Sequence, residues 1–169
     1  MTQSRFSLIG KAFLFSILAG LVATPNTLAS PGPSASDPCS LLTQSEVTTV
    51  LGVQVGTGKA LATKSCEWAA TASNGVSTKK VAVTLITAQG YAMSKVPLNT
   101  SSITKVPVSG VGDEAIQGTI GKSATTLTVK KGDVYFAIDV RGFPLNPGAD
   151  LNTVQGMEKT LAMAVLGNL

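Results

Sequence analysis

Between residues 134 and 141 apolar and polar side chains alternate without interruption. Val134, Phe136, Ile138 and Val140 take one set of positions, and Tyr135, Ala137, Asp139 and Arg141 the other. Successive side chains of a strand point to opposite faces, so this segment predicts a strand with one buried face and one mostly polar face. The same two-residue period predicts strands over 53–60, 63–70, 80–86, 114–120 and 124–130. Cys66, Trp68 and Ala70 share a face in one of them, and Val81, Val83 and Leu85 in the next. Asn74-Gly75 supplies the two positive φ values of a tight turn between that pair, and Lys131-Gly132 joins the last two strands.

Toward both ends of this region the period becomes helical. Thr43-Gln-Ser-Glu46 has the form of a capping box, Leu42 and Val47 can staple across it, and Gly52 follows Leu51, which predicts a helix over 44–51. Leu151, Val154, Met157, Leu161 and Val165 recur at spacings of three and four, an apolar stripe for a helix capped by Asp150 and running to about Leu166. Tyr91, Met93 and Val96 permit a turn or two of helix before Pro97, and the rest of 88–104 reads as loop, with Asn99-Thr-Ser101 matching a glycosylation acceptor of little weight. The pattern as a whole predicts an α+β domain. It has a mainly antiparallel, curved sheet of about six strands, with a short N-terminal and a long C-terminal helix packed on the sheet's apolar face.

The first 29 residues follow a different rule. Arg5 and Lys11 precede an apolar run over 12–23 that is too short for a standard membrane span, and Pro25, Thr27 and Ala29 follow it as a helix break and a cleavage site. The expectation is a signal peptide over 1–29, a flexible Pro- and Ser-rich linker over 30–38 and a single domain over 39–169. The mature protein would then be periplasmic or extracellular, with no membrane span left after cleavage. Two cysteines in an oxidising compartment pair by default, so Cys39 and Cys66 are expected to form a disulfide with Trp68 beside it.

Charge and composition exclude more than they assign. Without the leader the chain carries eleven basic and nine acidic residues, a net of +2, and no basic run longer than Lys79-Lys80 or Lys130-Lys131, which argues against nucleic acid as a partner. The absence of histidine removes the commonest general base, the commonest metal ligand and every Ser-His or Cys-His nucleophile. Gly110-Val-Gly-Asp-Glu-Ala115 matches a loose dinucleotide fingerprint but leads into a strand where a helix is needed. Gly56-Thr-Gly-Lys59 lacks the first glycine and the final hydroxyl of a phosphate loop, and Ser77-Thr-Lys-Lys80 lies at a hairpin end where no helix begins. No catalytic residue, metal ligand or cofactor is assigned. Asp113, Glu114 and Asp139 are the carboxylates an enzyme could use, and Tyr135, Asp139 and Arg141 form a candidate ligand or partner face on the last strand.

Asp37-Pro-Cys-Ser-Leu-Leu-Thr-Gln-Ser-Glu-Val47, Leu51-Gly52, Cys66-Glu-Trp68, Gly110-Val-Gly-Asp-Glu-Ala115 and a Lys-Gly-Asp hairpin before a C-terminal helix follow one another across nearly the whole mature chain. This arrangement resembles a broad group of small exported bacterial domains, lipoproteins and secreted proteins of unknown function best represented among actinobacteria. The resemblance implies a compact α+β domain and carries no activity; the lipidation cysteine of the lipoprotein members is missing here. The leading expectation is a non-enzymatic binding or accessory module whose partner is a small molecule or an envelope protein. The competing readings are a carboxylate-dependent enzyme on the open sheet face and a structural component of the cell envelope.

Overall fold

The computed structural model describes residues 37–71, 79–98, 102–121, 124–143 and 149–169, with only the backbone of residues 149 and 150. The expected signal peptide, most of the linker, the Asn74-Gly75 turn, the start of the Ser77 motif, Asn99-Thr-Ser101, the end of the loop after Gly142 and the Asp150 cap lie outside the described residues.

Among the described residues seven strands, against about six expected, form a single antiparallel sheet. They are β1 (Lys59–Ala62), β2 (Ser65–Ala69), β3 (Lys80–Leu85), β4 (Ile103–Pro107), β5 (Glu114–Ile120), β6 (Ala124–Lys131) and β7 (Val134–Arg141), in the order β1-β2-β3-β7-β6-β5-β4. The additional strand, β4, pairs with β5 from Ile103↔Ile120 to Pro107↔Ile116 and forms one edge of the sheet. Its Lys105 and Pro107 suit an edge, where a charge and a missing N–H discourage further pairing, and the same residues make it look like loop in the sequence. At the other edge the strand expected over 53–60 is displaced. Val55 makes only an isolated bridge to Ala70, and β1 begins at Lys59.

Gly58 explains the displacement. A Cβ on Gly58 would stand 2.8 Å from Trp68 Cε2 and 2.9 Å from Cys66 Sγ, so the backbone there must pass close to the indole and the sulfur without a side chain. Cys39 and Cys66 are joined by a disulfide with their Cα atoms 5.1 Å apart, and both Cys66 and Trp68 are fully buried. The tryptophan-bearing strand is thereby tied to a 3-10 turn over Pro38–Ser40, which Asp37 caps by accepting from the Cys39 N–H.

Helix α1 (Gln44–Leu51) carries the full capping box: Thr43 Oγ1 accepts from Glu46 N, and a Glu46 carboxylate oxygen accepts from Thr43 N at 2.7 Å. Helix α3 (Ala149–Gly167) lies against β6, β7 and α1, and buries Val154, Leu161, Ala162 and Val165. With Val81, Val83, Leu127, Val129, Phe136, Ile138 and the disulfide region these make one hydrophobic core on one face of the sheet. Helix α2 (Ala88–Lys95), capped by Thr87, touches β5, β6 and β7. It buries Tyr91 against Tyr135, a residue of the sheet's other face. Among the described residues no helix is long and apolar enough to cross a membrane.

The stripe expected on α3 has one further member. Met157 is partly buried against the core, and the residue wholly buried in that turn is Glu158. Its place in the fold leads to the site.

Candidate functional site

Strands β6 and β7 leave their hairpin paired and then part. Their ladder runs from Lys131↔Val134 to Leu127↔Ile138 and stops, although β6 reaches back to Ala124 and β7 continues to Arg141. Beyond that point β6 stays paired with β5 as far as Ala124↔Ile120, and β7 stays paired with β3 as far as Arg141↔Lys80. Each strand follows its outer neighbour, and a wedge opens between them.

A cleft of about 400 Å³ is lined by this end of the two strands. On its polar side Thr126 Oγ1 donates to Asp139 Oδ1 at 2.6 Å, and an Arg141 guanidinium nitrogen stands 3.7 Å from the same oxygen. Arg141 keeps most of its side chain in solvent while Asp139 is largely covered, so the pair offers an accessible cation beside a recessed anion. Val140, Val154 and Phe143 supply apolar lining. Such a mixture of apolar walls and a few convergent polar groups is the usual composition of a small-ligand site.

Glu158 reaches the strands where they part. Its Oε1 accepts from the Val140 N–H at 3.4 Å, and its Oε2 lies 2.7 Å from Gln117 Nε2 and 3.2 Å from Thr125 Oγ1. Thr125 Oγ1 is also in contact with Gln117 Nε2 and lies 3.2 Å from the Gly118 carbonyl oxygen. One carboxyl thus links α3 to β5, β6 and β7 just past the end of the β6–β7 ladder. Among the described residues no cation is paired with it. Burial, the dominant influence, pushes the Glu158 carboxyl up to about 7; the bonds from Gln117, Val140 and Thr125 oppose this, and the negative charge of Asp139 adds to it.

The residues singled out in the sequence are divided by the structure. Asp139 and Arg141 line the cleft, but Tyr135, four residues back along β7, stands at the hairpin end. There its ring centre is 5.5 Å from that of Tyr91. Tyr91 in turn lies against Glu114, and burial followed by that carboxylate raises its hydroxyl to about 12. Asp113 and Glu114 act as clasps. Asp113 accepts from the Gly132 N–H at 2.7 Å and from Lys131 at 3.0 Å, interactions that lower its pKa in that order of importance. Glu114 accepts from Lys95 at 2.7 Å, and that bond with the lysine's charge lowers its carboxyl too. Both acids are exposed. The Gly110–Ala115 stretch forms a turn into β5, with φ of +59° at Gly112, where a Cβ would stand 2.4 Å from the Lys130 carbonyl oxygen.

A second groove, of about 320 Å³, runs between β4–β5 and α3 past Val106, Val108, Thr119 and Gln155. Gln117 borders this groove and also reaches Glu158. Among the described residues no group of three or more histidine, cysteine or acidic side chains is placed to hold a metal. Sequence reasoning passed over Gln117, Thr125 and Glu158. The signal was present for Glu158, which stands four residues after Val154 and three before Leu161 and therefore falls inside the apolar stripe.

Compared with family models, with curated proteins and with solved structures, the chain finds no match.

Proposed function

We propose that this protein is an exported, non-enzymatic binding module, with the wedge between β6 and β7 as its ligand site. The observation that carries this reading is the cleft itself, where Asp139, Arg141 and Thr126 face the same space as Val140, Phe143 and Val154. Export is supported by the disulfide, which persists in oxidising compartments, together with the leader-like pattern of the first 29 residues. The likeness to small exported actinobacterial domains belongs to the same proposal.

An enzyme on the open sheet face is the weaker reading, because two of its three candidate carboxylates, Asp113 and Glu114, are exposed and committed to lysines and a turn amide. A structural envelope protein would favour one flat apolar patch. The exposed large apolar side chains among the described residues are instead spread over β1, α2 and the segment after it, β4, β5 and α3.

The test is native mass spectrometry of the secreted form from its own host. The expected result is a chain beginning near residue 30, with no free thiol and a bound small molecule. Arg141→Ala should reduce occupancy by about tenfold or more, the usual effect of removing a charged hydrogen-bond partner. A chain that carries no ligand, or one that keeps its ligand unchanged in both Arg141→Ala and Asp139→Asn, would overturn the reading.

A further inference from the structure

We infer that Glu158 is a proton-operated latch on the cleft: protonated, it holds α3 to the parted ends of β6 and β7, and on losing its proton it releases them and the cleft widens. The inference rests on the reading of the cleft as a ligand site only for its biological consequence; the latch itself needs no ligand.

The hydrogen bonds around Thr125 carry the argument. Thr125 Oγ1 lies 3.2 Å from both the Gly118 carbonyl oxygen and Glu158 Oε2, and Gln117 Nε2 donates to it. A hydroxyl has one proton, so it can serve only one of those two acceptors. If Glu158 carries a proton on Oε2, every group is satisfied at once. The acid donates to Thr125, Thr125 donates to Gly118, Gln117 donates its two amide protons to Thr125 and Glu158, and Oε1 accepts from Val140. If Glu158 is ionised, Thr125 must abandon either Gly118 or the carboxylate, and a negative charge is left in a fully buried site.

Among the described residues no cation stands ready to compensate. Toward Glu158, β5 presents Gln117, β6 presents Thr125, and β7 presents the Val140 N–H with the like charge of Asp139 nearby. On α3 itself Lys159 is directed to the Ser109 carbonyl oxygen. Glu46 on α1 is engaged by Thr43 and Asn168, and Arg141 is paired with Asp139. Ionisation is relieved most readily by admitting water, and the place to admit it is where β6 and β7 share no ladder bonds. Thr125, Val140 and Val154 line the cleft there and would move first.

Amide hydrogen exchange in the full mature chain, followed residue by residue and divided by intrinsic rates, tests this. In the wild type the protection of the Val140 amide should fall between about pH 5.5 and 8.5 by about tenfold or more beyond the fall at Val129 on the paired part of β6, which follows the stability of the whole domain. In Glu158→Gln, which cannot ionise, the Val140 protection should show no fall beyond that of Val129. A wild-type Val140 profile that only follows Val129, or an equal excess fall in Glu158→Gln, would overturn the latch. If the variant did not fold, the wild type would still decide, since a fall centred near the ordinary glutamate value of 4.5 is incompatible with the inference. A working latch in a protein that retains no ligand would overturn the binding reading alone, and a retained ligand with a Val140 profile that only follows Val129 would overturn the latch alone.

Discussion

Glu158→Gln is expected to gain markedly in stability relative to the wild type as the pH rises from 4.5 to 8. The folded-state carboxyl sits near 7 against an ordinary 4.5, so between those values the folded chain binds more protons than the unfolded one. Stability that is fully present below about 4.5 is therefore lost as the pH rises through 7. A displacement of this size corresponds to about 3 kcal/mol, or of order 10 °C in melting temperature for a domain of this length. Glutamine cannot ionise, so its curve should lack that fall.

Three other carboxyls work in the opposite direction. Glu46 is disfavoured by burial but more strongly favoured by its bonds from Thr43 and Asn168, and Asp113 and Glu114 are lowered by the partners already described. Their contributions are present above the ordinary carboxylate range and fade as the pH falls below it. The wild type should be most stable near pH 4.5 to 5. Glu158→Ala should behave differently from glutamine. It leaves the Gln117 and Val140 donors without their acceptor, takes away the group that Thr125 bonds to, and opens a hole, for a loss of about 3 to 5 kcal/mol across the whole range. Urea denaturation of the three proteins from about pH 4 to 8.5 distinguishes these outcomes. Parallel curves for wild type and glutamine would refute the assignment.

Removing the disulfide is the other change with a large expected effect. Cys39 and Cys66 are 27 residues apart, and opening a loop of that length costs about 3 to 4 kcal/mol in the chain-entropy model. In a small domain that is a large share of the margin. Trp68 is the only tryptophan and lies fully buried on the strand that carries Cys66, so its fluorescence reports the region directly. Reduction, or the double substitution Cys39→Ala with Cys66→Ala, should lower the midpoint of the Trp68 emission shift in urea without changing the folded spectrum. An unchanged midpoint would mean that the cysteines are not joined in the folded protein.

Much of this architecture was legible in the sequence because it rests on local rules. The Thr43–Glu46 box, the alternation along β7 and the closeness of Trp68 to Cys66 all depend on residues a few positions apart. What escaped depends on distant ones. β4 carries no clear strand signal in the sequence because Lys105 and Pro107, which protect an edge, weaken the pattern that would reveal it. The strand expected at 53–60 was displaced because Gly58 must clear the indole and the sulfur of β2. On α3, Met157 and Glu158 fit the three-and-four spacing equally well, and hydrophobicity alone selects the methionine. Glu158 is buried beside it through Gln117, 41 residues earlier in the chain, and Thr125, 33 residues earlier. The site was half visible for a related reason. Alternation put Tyr135, Asp139 and Arg141 on one face, but it carries no information on where β7 leaves β6, and that departure separates the tyrosine from the other two.

The account depends above all on a glutamic acid that keeps its proton well above the ordinary carboxylate range where two strands part, and carbon-detected NMR of side-chain carboxyls reads this directly. It predicts a Glu158 titration midpoint near 7, with the Val140 amide nitrogen shift following the same curve. A midpoint at or below 4.5, or a Val140 signal that ignores the titration, would contradict it.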